Sequence, residues 1–336
     1  MVSNSQDTYN SKPSLRASVI IPTYNRARYL FDTIESIAQQ ELSGDFEIIV
    51  VDNAPSSALK SQVENLGARL PASLRYVPEP RSGLHHARHC GARAAESDIL
   101  VYCDDDIIAS PRWLEALLAP YRDNAVACIG GKCLPRWETP PPSWLASIPE
   151  GYFSLLDYGN DPLSLPDDKM IYGNNLSVRK QVLFEVGGFN PDGFGDRRLI
   201  WYRGDGECGL QRRLRAKGYK IFYAPGAVIE HRLSPERLTP ERLRRRAFDS
   251  GIEANFCYYR YQQPSLGRLA VYFFDRATRY IYHRLVKRIV LERKPEEYFL
   301  RESINAAFYL GQLLHTLHLL RYPALRSHCL RENYLD

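Results

Sequence analysis

The chain has 336 residues, of which 44% are hydrophobic and 25% are charged, and its formal net charge is +5. This composition predicts a globular protein of one large or two smaller domains with a substantial core. The net charge is too small to indicate a nucleic-acid-binding protein, so no nucleic-acid partner is expected.

Residues 1–15 are polar and lack the basic and then apolar pattern of a signal peptide, so they predict a disordered leader. The seven cysteines are an odd number without any C-x-x-C pair. This usage favours reduced thiols and a cytoplasmic location.

In the first half of the chain, short β-branched runs alternate with segments of helical spacing. The runs are "ASVIIPTYN", "FEIIVVDNAPSS", the weaker "LRYVPEPRSG" and "DILVYCDDD", and the helical segments are "RARYLFDTIESIAQQ" and "LHHARHCGARAAES". This alternation predicts an α/β fold with a parallel, doubly wound sheet. Such sheets bind ligands beyond the carboxyl ends of their strands, where residues 23–26, Asp52 with Asn53, and residues 104–106 are expected to lie.

Three consecutive carboxylates end the strand "DILVYC". If the strand continues, Asp104 and Asp106 point to one side and Asp105 to the other. Two carboxylates on one face suit Mg²⁺ or Mn²⁺, and Asp105 would be free to accept a hydrogen bond from a hydroxyl such as a ribose. The alternative is a solvated acidic turn that caps the helix beginning near Pro111.

From about Cys128 the sequence predicts mainly loops, followed by a strand at "MIYG". Asn174 and Asn175 after that strand have amides that could bind sugar hydroxyls, although asparagine is also common in plain turns. Further on, the sequence predicts an acidic turn, a basic helix ended by Gly218, and a strand that closes on Glu230 and His231.

After Pro235 the chain is expected to be helical, with Thr239 as an N-cap and Pro240 in the first turn. Residues 303–320 carry no formal charge. Their polar residues and the helical spacing of their leucines favour an amphipathic helix over a membrane span.

A basic amphipathic helix is predicted around "GRLAVYFFDRATRYIYHRLVKRIVLERK". Its apolar stripe contains Ala270, Phe274, Ala277, Ile281 and Leu285. Such a helix either packs on the rest of the protein with its charged face in solvent or lies on an anionic membrane surface.

Four segments in this order and spacing resemble a family 2 glycosyltransferase with the GT-A-type fold. They are "SVIIPTYNRARYL", "IIVVDNAPS", "RSGLHHARHCGARAAESDILVYCDDDIIASPRWL" and "GDGECGLQRRLRAKGYKIFYAPGAVIEHR". The resemblance covers residues 17–232 and implies a mostly parallel central sheet flanked by helices. It divides the chain into a nucleotide-sugar-binding half (residues 16–128), an acceptor and catalytic-base half (129–232) and a helical C-terminal region (233–336).

The resemblance implies a nucleotide pocket after the first strand, lined by Pro22, Thr23, Tyr24, Asn25 and Arg26. Asp52, beside Asn53, would hydrogen-bond the base. Arg88 would lie near the nucleotide, in a segment where His89 replaces the family's usual asparagine.

For the metal, Mn²⁺ or Mg²⁺, the resemblance implies Asp106 as the direct ligand within the family's D-x-D element, residues 104–106. Asp105 would lie nearest the ribose. His231 matches a histidine that often reaches the phosphates or the metal.

The family's catalytic base is an acidic residue in a "G-E-D"-like turn, and the match is shifted in this chain. Counting back from Gly218 places Glu207 at the catalytic position and Gly206 at the preceding acidic one. Asp205 lies one residue earlier, so the base remains open between Glu207, which is favoured, and Asp205.

The resulting hypothesis is a metal-dependent inverting transferase that moves a sugar from a nucleotide sugar, commonly UDP-linked, to a hydroxyl of a glycan or lipid-linked acceptor. It would act in polysaccharide or glycoconjugate biosynthesis in the cytoplasm, with an optional peripheral contact at the inner membrane face. The alternatives are a nucleotidyltransferase, for which no glycine-rich triphosphate loop is present, and a non-catalytic binding module. The sequence does not predict the oligomeric state.

Overall fold

The computed structural model describes residues 15–286, 289 and 296–335, so residues 1–14 of the predicted leader lie outside the described residues. The strands of this part are β1 (Ala17–Thr23), β2 (Phe46–Asp52), β3 (Ser73–Pro78), β4 (Ile99–Cys103), β5 (Ile107–Ala109), β6 (Val126–Trp137), β7 (Leu163–Ser164), β8 (Asn175–Arg179) and β9 (Lys220–Leu233). They form one sheet with the order β3-β2-β1-β4-β8-β6-β9-β5, and β7 pairs with β9.

The sheet is mostly parallel, as predicted. β1 pairs in parallel with β2 and β4, β2 with β3, and β6 with β9. β8 runs antiparallel to both β4 and β6, and β5 and β7 run antiparallel to β9.

Helices cover the sheet and form the C-terminal region. They are α1 (Leu30–Ala38), α2 (Ser57–Gly67), α3 (Leu84–Ala94), α4 (Trp113–Leu118), α5 (Lys180–Glu185), α6 (Gly206–Ala216), α7 (Pro240–Gln262), α8 (Leu266–Ile281), α9 (Glu296–Arg321) and α10 (Pro323–Cys329). The sequence did not predict α2, because it buries only Leu59 and Val63 and its apolar pattern is correspondingly weak.

The core lies around β1, β2 and β4. Every residue of β1 is buried, because helices or neighbouring segments cover both faces of the parallel sheet. α3 lies very close to β1 at Gly91, where a Cβ would stand 2.4 Å from Cγ2 of Ile20. This close approach fixes the position of α3 on the sheet.

The prediction of loops from Cys128 onward was wrong as far as Trp137, where β6 ends, and correct for most of residues 138–174. The two glycines of β6 suggested a loop but serve close packing instead. A Cβ on Gly130 would lie 2.0 Å from Cγ2 of Ile171, and one on Gly131 would lie 2.0 Å from the Ala227 carbonyl oxygen. The predicted "MIYG" strand was also wrong, since the strand there is β8, which begins at Asn175.

The C-terminal helices begin as the sequence predicts. The Thr239 hydroxyl accepts a hydrogen bond of 3.2 Å from the backbone N–H of Arg242, and Pro240 is the first residue of α7. α9 contains the uncharged residues 303–320. Within the described ranges, none of the helices is both long enough and apolar enough to cross a bilayer.

The apolar stripe of α8 does not pack on the rest of the protein. Phe274 is 68% exposed, Ile281 50% and Leu285 54%, whereas Leu269 on another face of the helix is fully buried. The helix nevertheless packs on α9 through another face, where the Gln312 amide donates a hydrogen bond of 3.1 Å to the Tyr272 hydroxyl. The packing alternative is thus correct for the helix, although these three large residues of the stripe do not take part in it.

Candidate active site

The three aspartates lie in the turn between β4 and β5, at the carboxyl end of β4. The antiparallel register of β5 and β9 places Ile107 opposite His231, so His231 lies beside Asp106. Asp105 and Asp106 are each only 2% exposed, which excludes the alternative of a solvated acidic turn.

Asp104, Asp106 and His231 form a group that could hold a metal ion, with one ligand atom from each lying within 4.8 Å of the others. Nδ1 of His231 lies 2.8 Å from the Phe153 carbonyl oxygen. A proton on Nδ1 satisfies that carbonyl and leaves the lone pair of Nε2 directed at the aspartates.

The oxygen atoms of this group also fit a cation. Oδ1 of Asp106 is buried and lies 3.3 Å from Nε2 of His231. With the His231 proton on Nδ1, this contact supplies no hydrogen, so Oδ1 has no donor. The Asp104 carboxylate is half-buried at the cavity, and no side chain in the described part of the chain forms a hydrogen bond or ion pair with it. Unsatisfied carboxylate oxygens are costly to bury, and a hard divalent cation is the ligand that such oxygens prefer.

Two arginines compensate part of the negative charge. Arg26 lies 3.2 Å from Oδ1 of Asp105 and 3.3 Å from Oδ2 of Asp106. Arg237 contacts Oδ2 of Asp106 and also lies 2.9 Å from Nε2 of His231. Arg237 thus contacts two of the three groups that a metal ion would contact.

The carboxyl groups differ in acidity. Burial raises the pKa of Asp105 to about 7, although Arg26 opposes the shift. Burial and the neighbouring Asp106 raise the pKa of Asp104. The pKa of Asp106 is lowered, because a hydrogen bond from His231, in the form that carries a proton on Nε2, and the charge of Arg237 outweigh the effect of burial.

The end of β1 and the loop after it lie beside the three aspartates. The Thr23 hydroxyl donates a hydrogen bond of 2.7 Å to Oδ2 of Asp105. Asn25 has a φ of 51°, a left-handed conformation that asparagine tolerates, and Tyr24 and Arg26 line the adjacent cavity. Pro22 is buried within β1.

Asp52 and Asn53 are held in the turn after β2. The Asp52 carboxylate accepts hydrogen bonds from two backbone N–H groups of that turn and, at 2.9 Å, from the Tyr76 hydroxyl. The Asn53 amide donates to the carbonyl oxygens of Glu79 and Arg81. The predicted contact of Asp52 with a nucleotide base stays a prediction.

Glu207 lies in the first turn of α6, where its two carboxylate oxygens have different partners. Oε2 lies 3.2 Å from Nη1 of Arg88, and Oε1 accepts a hydrogen bond of 3.0 Å from the backbone N–H of Gly173. The Glu207 side chain remains 16% exposed.

Asp205 faces the C-terminal helices instead. Its carboxylate accepts hydrogen bonds from the Asn190 amide at 2.5 Å and from the Tyr261 hydroxyl at 2.9 Å, and it is 3% exposed. These contacts give Asp205 a structural role between α6 and α7.

A family model of glycosyl transferase family 2 matches residues 18–186, which is half of the chain. The chain belongs to glycosyl transferase family 2. The predicted fold and enzyme class are thus confirmed.

Known proteins resemble this glycosyltransferase over most of its length. A glucosyl-dolichyl phosphate glucuronosyltransferase of Haloferax volcanii is 26% identical over 279 residues, which cover 81% of this chain and 86% of the relative. Among solved structures, the mannosyltransferase PcManGT of Pyrobaculum calidifontis in complex with GDP-Man and Mn²⁺ matches with a TM-score of 0.52 and 18% identity, over 96% of this chain and 86% of that one. GalNAc-T7 with UDP, GalNAc and Mn²⁺ matches with a TM-score of 0.51 and 16% identity, over 94% of this chain and 59% of that one.

The glycosyltransferase has a cavity of about 590 Å³ beside the aspartates. The predicted residues that line it are Tyr24, Arg26, Asp104 and His231. Asn175 does not line it, because the Asn175 side chain is buried and bonded to Trp113 and to the carbonyl oxygens of Lys132 and Ala227.

Sequence reasoning missed several residues of this cavity. They are Asp192, Arg197, Arg203, Arg237, Arg242, Arg245, Arg246 and Asp249. For the arginines after residue 232, the density of arginine in the sequence was the available signal. Only the placement of α7, which packs mainly against α9, and of the turn before it shows which of these arginines face the site.

Proposed function

We propose that this glycosyltransferase moves a sugar from a nucleoside diphosphate sugar, with UDP-sugars as the first candidates, to a hydroxyl of a glycan or lipid-linked acceptor in polysaccharide or glycoconjugate biosynthesis. The proposal depends on one observation above all: Asp104, Asp106 and His231 converge beside a cavity that also contains Arg26 and Arg237. Two carboxylates, an imidazole and two guanidiniums suit a metal-bound diphosphate.

Asp104, Asp106 and His231 would hold the metal. The imidazole ligand favours Mn²⁺ over Mg²⁺, which prefers oxygen ligands throughout, and both solved neighbours contain Mn²⁺. When bound, a divalent cation stabilises the negative charge that develops on the departing diphosphate.

The protein's own groups would complete the donor site. Arg26 and Arg237 supply positive charge next to the metal ligands, where the diphosphate lies. Asp105, held by Thr23, would accept a hydrogen bond from the ribose. Their fixed positions reduce the cost of reorganising the site during the reaction.

Glu207 is the proposed base, which accepts the proton of the acceptor hydroxyl as the sugar is transferred with inversion. Its carboxylate is partly exposed, and Arg88 and the Gly173 N–H orient it. A carboxylate oriented in this way meets the requirement of general base catalysis for a fixed group close to the hydroxyl. Because the Asp205 carboxylate is bonded to Asn190 and to Tyr261 of α7, Glu207 is favoured over Asp205 as the base.

The proposal is tested by donor hydrolysis in the absence of an acceptor. We expect slow, Mn²⁺-dependent release of the nucleoside diphosphate from one of a panel of UDP- and GDP-sugars. Release of pyrophosphate from a nucleoside triphosphate would instead indicate a nucleotidyltransferase. Binding of the donor with no turnover, even with a pool of glycan and lipid-linked acceptors, would indicate a non-catalytic module.

Peripheral membrane contact through α8 belongs to the same proposal. Val271 and Phe274 are 70% and 68% exposed on the helix face that also carries Ile281 and Leu285. Lys287 and Arg288, the next basic residues in the sequence, lie outside the described residues. An exposed apolar stripe with basic neighbours suits the interface of an anionic bilayer.

This contact is tested by co-sedimentation with vesicles of phosphatidylglycerol and phosphatidylcholine. We expect binding that requires the anionic lipid and that is lost when both Val271 and Phe274 are changed to serine. Equal sedimentation of this variant and the unchanged protein would contradict the contact.

A further inference from the structure

The helix α7 presents a row of arginines to the cavity. Arg242, Arg245 and Arg246 all line the cavity, as their spacing of three and four residues on a helix predicts, and all three are exposed. Leu243 and Ala247, between and beside these arginines in the sequence, are buried in the core, and Leu243 also lines the cavity. Arg244 points elsewhere and lines a separate cavity with Glu297.

These arginines differ from the other arginines of the cavity in forming no ion pair with a carboxylate, although the charge of Arg246 still acts on Asp192 and Glu253. Arg197 pairs with Asp249, and Arg203 pairs with Asp192. Among the described residues, however, no carboxylate forms an ion pair with Arg242, Arg245 or Arg246.

The positive charges of the row act on one another. Arg242 is exposed as a residue, but its guanidinium loses part of its hydration within the cavity. This loss first, and then the neighbouring charges of Arg237, Arg245 and Arg26, lower the pKa of Arg242. Like charges at this spacing repel, and an anion bound between them would relieve the repulsion.

The row extends from the donor side of the site toward the proposed base. Arg242 lies near Arg237, which contacts Asp106. Arg246 lies near Asp192 and near Tyr172, which in turn lies near Glu207. The proposed metal ligands, together with Arg26 and Arg237, would already bind a donor diphosphate. The row of arginines on α7 is therefore available to the acceptor.

We propose that Arg242, Arg245 and Arg246 bind a phosphate or diphosphate group of the acceptor. This inference rests on the proposed function, because it takes the donor to occupy the metal side of the same cavity. Guanidinium groups bind phosphate oxygens through paired, charge-assisted hydrogen bonds, so three of them without acidic partners suit such a group.

The first probe is farnesyl phosphate, with farnesol as its neutral counterpart. Both are titrated into the enzyme saturated with Mn²⁺ and the nucleoside diphosphate that binds best, so that the donor site is already filled. We expect farnesyl phosphate to bind about tenfold more tightly than farnesol, the scale of one charge-assisted contact. A variant with all three arginines changed to glutamine should lose this difference, whereas Arg244→Gln should retain it.

A further titration separates the two possible sources of the phosphate group, a lipid-linked or a free sugar phosphate. Glucose 1-phosphate replaces the lipid probe: binding of both probes identifies the phosphate alone as the recognised group, and binding of farnesyl phosphate only identifies a lipid-linked acceptor. Equal affinity for farnesyl phosphate and farnesol, or unchanged phosphate binding by the triple variant, would overturn the inference. So would a triple variant whose only defect is weaker nucleotide binding, because the row would then serve the donor.

Failure of the proposed function gives a different result. In that case Mn²⁺ and nucleotide do not bind to the unchanged enzyme, and the titration of farnesyl phosphate is repeated without them. Loss of phosphate binding in the triple variant would still support the arginine site, and unchanged phosphate binding would still overturn it.

Discussion

Arg88 on α3 and Glu207 in the first turn of α6 form an ion pair, with 3.2 Å between Nη1 and Oε2. The Arg88 side chain is only 4% exposed, and its guanidinium also lies over the Phe189 ring, 4.9 Å from the centroid. Because a buried charge without a partner is strongly unfavourable, the pair holds the Glu207 carboxylate in one orientation. The proposed base is thus positioned by α3, an element of the predicted nucleotide-sugar-binding half.

Glu207→Gln should abolish sugar transfer while nucleotide binding with Mn²⁺ remains near normal. The amide cannot accept a proton. Its oxygen can keep the hydrogen bond from Arg88 or the one from the Gly173 N–H, but not both, so the variant also loses one of the contacts that orient the side chain. We expect the transfer rate to fall by a factor of about 10² or more, in the range of lost general base catalysis. The rate is measured with a saturating donor and acceptor, and nucleotide affinity by calorimetry.

Asp205→Asn is the matched control for that substitution. It weakens the contacts to Asn190 and Tyr261, so the free energy of unfolding should fall by about 1–3 kcal/mol. Transfer activity of the folded fraction should persist. A result in which Asp205→Asn stops transfer and Glu207→Gln does not would move the base to Asp205.

Arg237→Gln should change metal and nucleotide binding in opposite directions. Arg237 contacts both Asp106 and His231, so its positive charge competes with a metal ion for these groups. Without nucleotide, the variant should bind Mn²⁺ more tightly than the unchanged protein. The nucleoside diphosphate should bind more weakly, since a partner of the phosphates is lost. Weaker Mn²⁺ binding by the variant, measured by calorimetry, would show that Arg237 does not compete with the metal.

His328 should make stability depend on pH. Burial lowers its pKa to about 4, and Nε2 lies 3.0 Å from the Tyr202 carbonyl oxygen. The unfolded chain, with a histidine pKa of about 6.5, therefore binds a proton that the folded chain does not, and stability is lost as the pH falls from about 6.5 to 4.

The test compares the unchanged protein with His328→Gln, whose amide can still donate to Tyr202. The free energy of unfolding in urea should fall more steeply for the unchanged protein, by up to about 1.4 kcal/mol per pH unit within this window. Taking the difference removes the effects of other groups. Parallel curves for the two proteins would contradict the assigned role of His328.

Gly91→Ala should destabilise the protein, whereas Gly226→Ala should not. The added Cβ at position 91 would lie 2.4 Å from Ile20, but at position 226 its nearest neighbour is the Ala116 Cβ at 3.4 Å. Overpacking between α3 and β1 should cost about 1–3 kcal/mol. Thermal unfolding of both variants measures the difference, and equal stability would mean that α3 can move away from the sheet at little cost.

The sequence predicted the first half of the fold well, because β1, β2 and β4 are buried strands with continuous apolar runs. The prediction failed at β6, where Gly130, Gly131 and Pro135 resemble loop residues. The two glycines instead allow close packing, and Pro135 lies in an exposed part of the strand. The strand or loop propensity of a residue depends on that residue alone. The close packing of Gly130 and Gly131, however, depends on Ile171 and Ala227, which are distant in the sequence.

For the candidate site, the sequence predicted the aspartates because they follow an apolar strand directly. The sequence could not predict that Arg237 lies beside Asp106 and His231. This position depends on the pairing of β5 with β9 and on the short turn Pro235–Leu238 before α7. The ambiguity between Asp205 and Glu207 had the same origin, since the contact from Tyr261 comes from a helix 56 positions further along the chain.

The central claim is that Asp104, Asp106 and His231 hold a divalent cation that binds the donor's diphosphate. The most direct measurement is a calorimetric titration of UDP and GDP into the protein with and without Mn²⁺, repeated with Asp106→Asn. We expect that one nucleotide binds only when Mn²⁺ is present and that Asp106→Asn loses this binding while remaining folded. Nucleotide binding that is equally strong without Mn²⁺, or that is unchanged in Asp106→Asn, would contradict it.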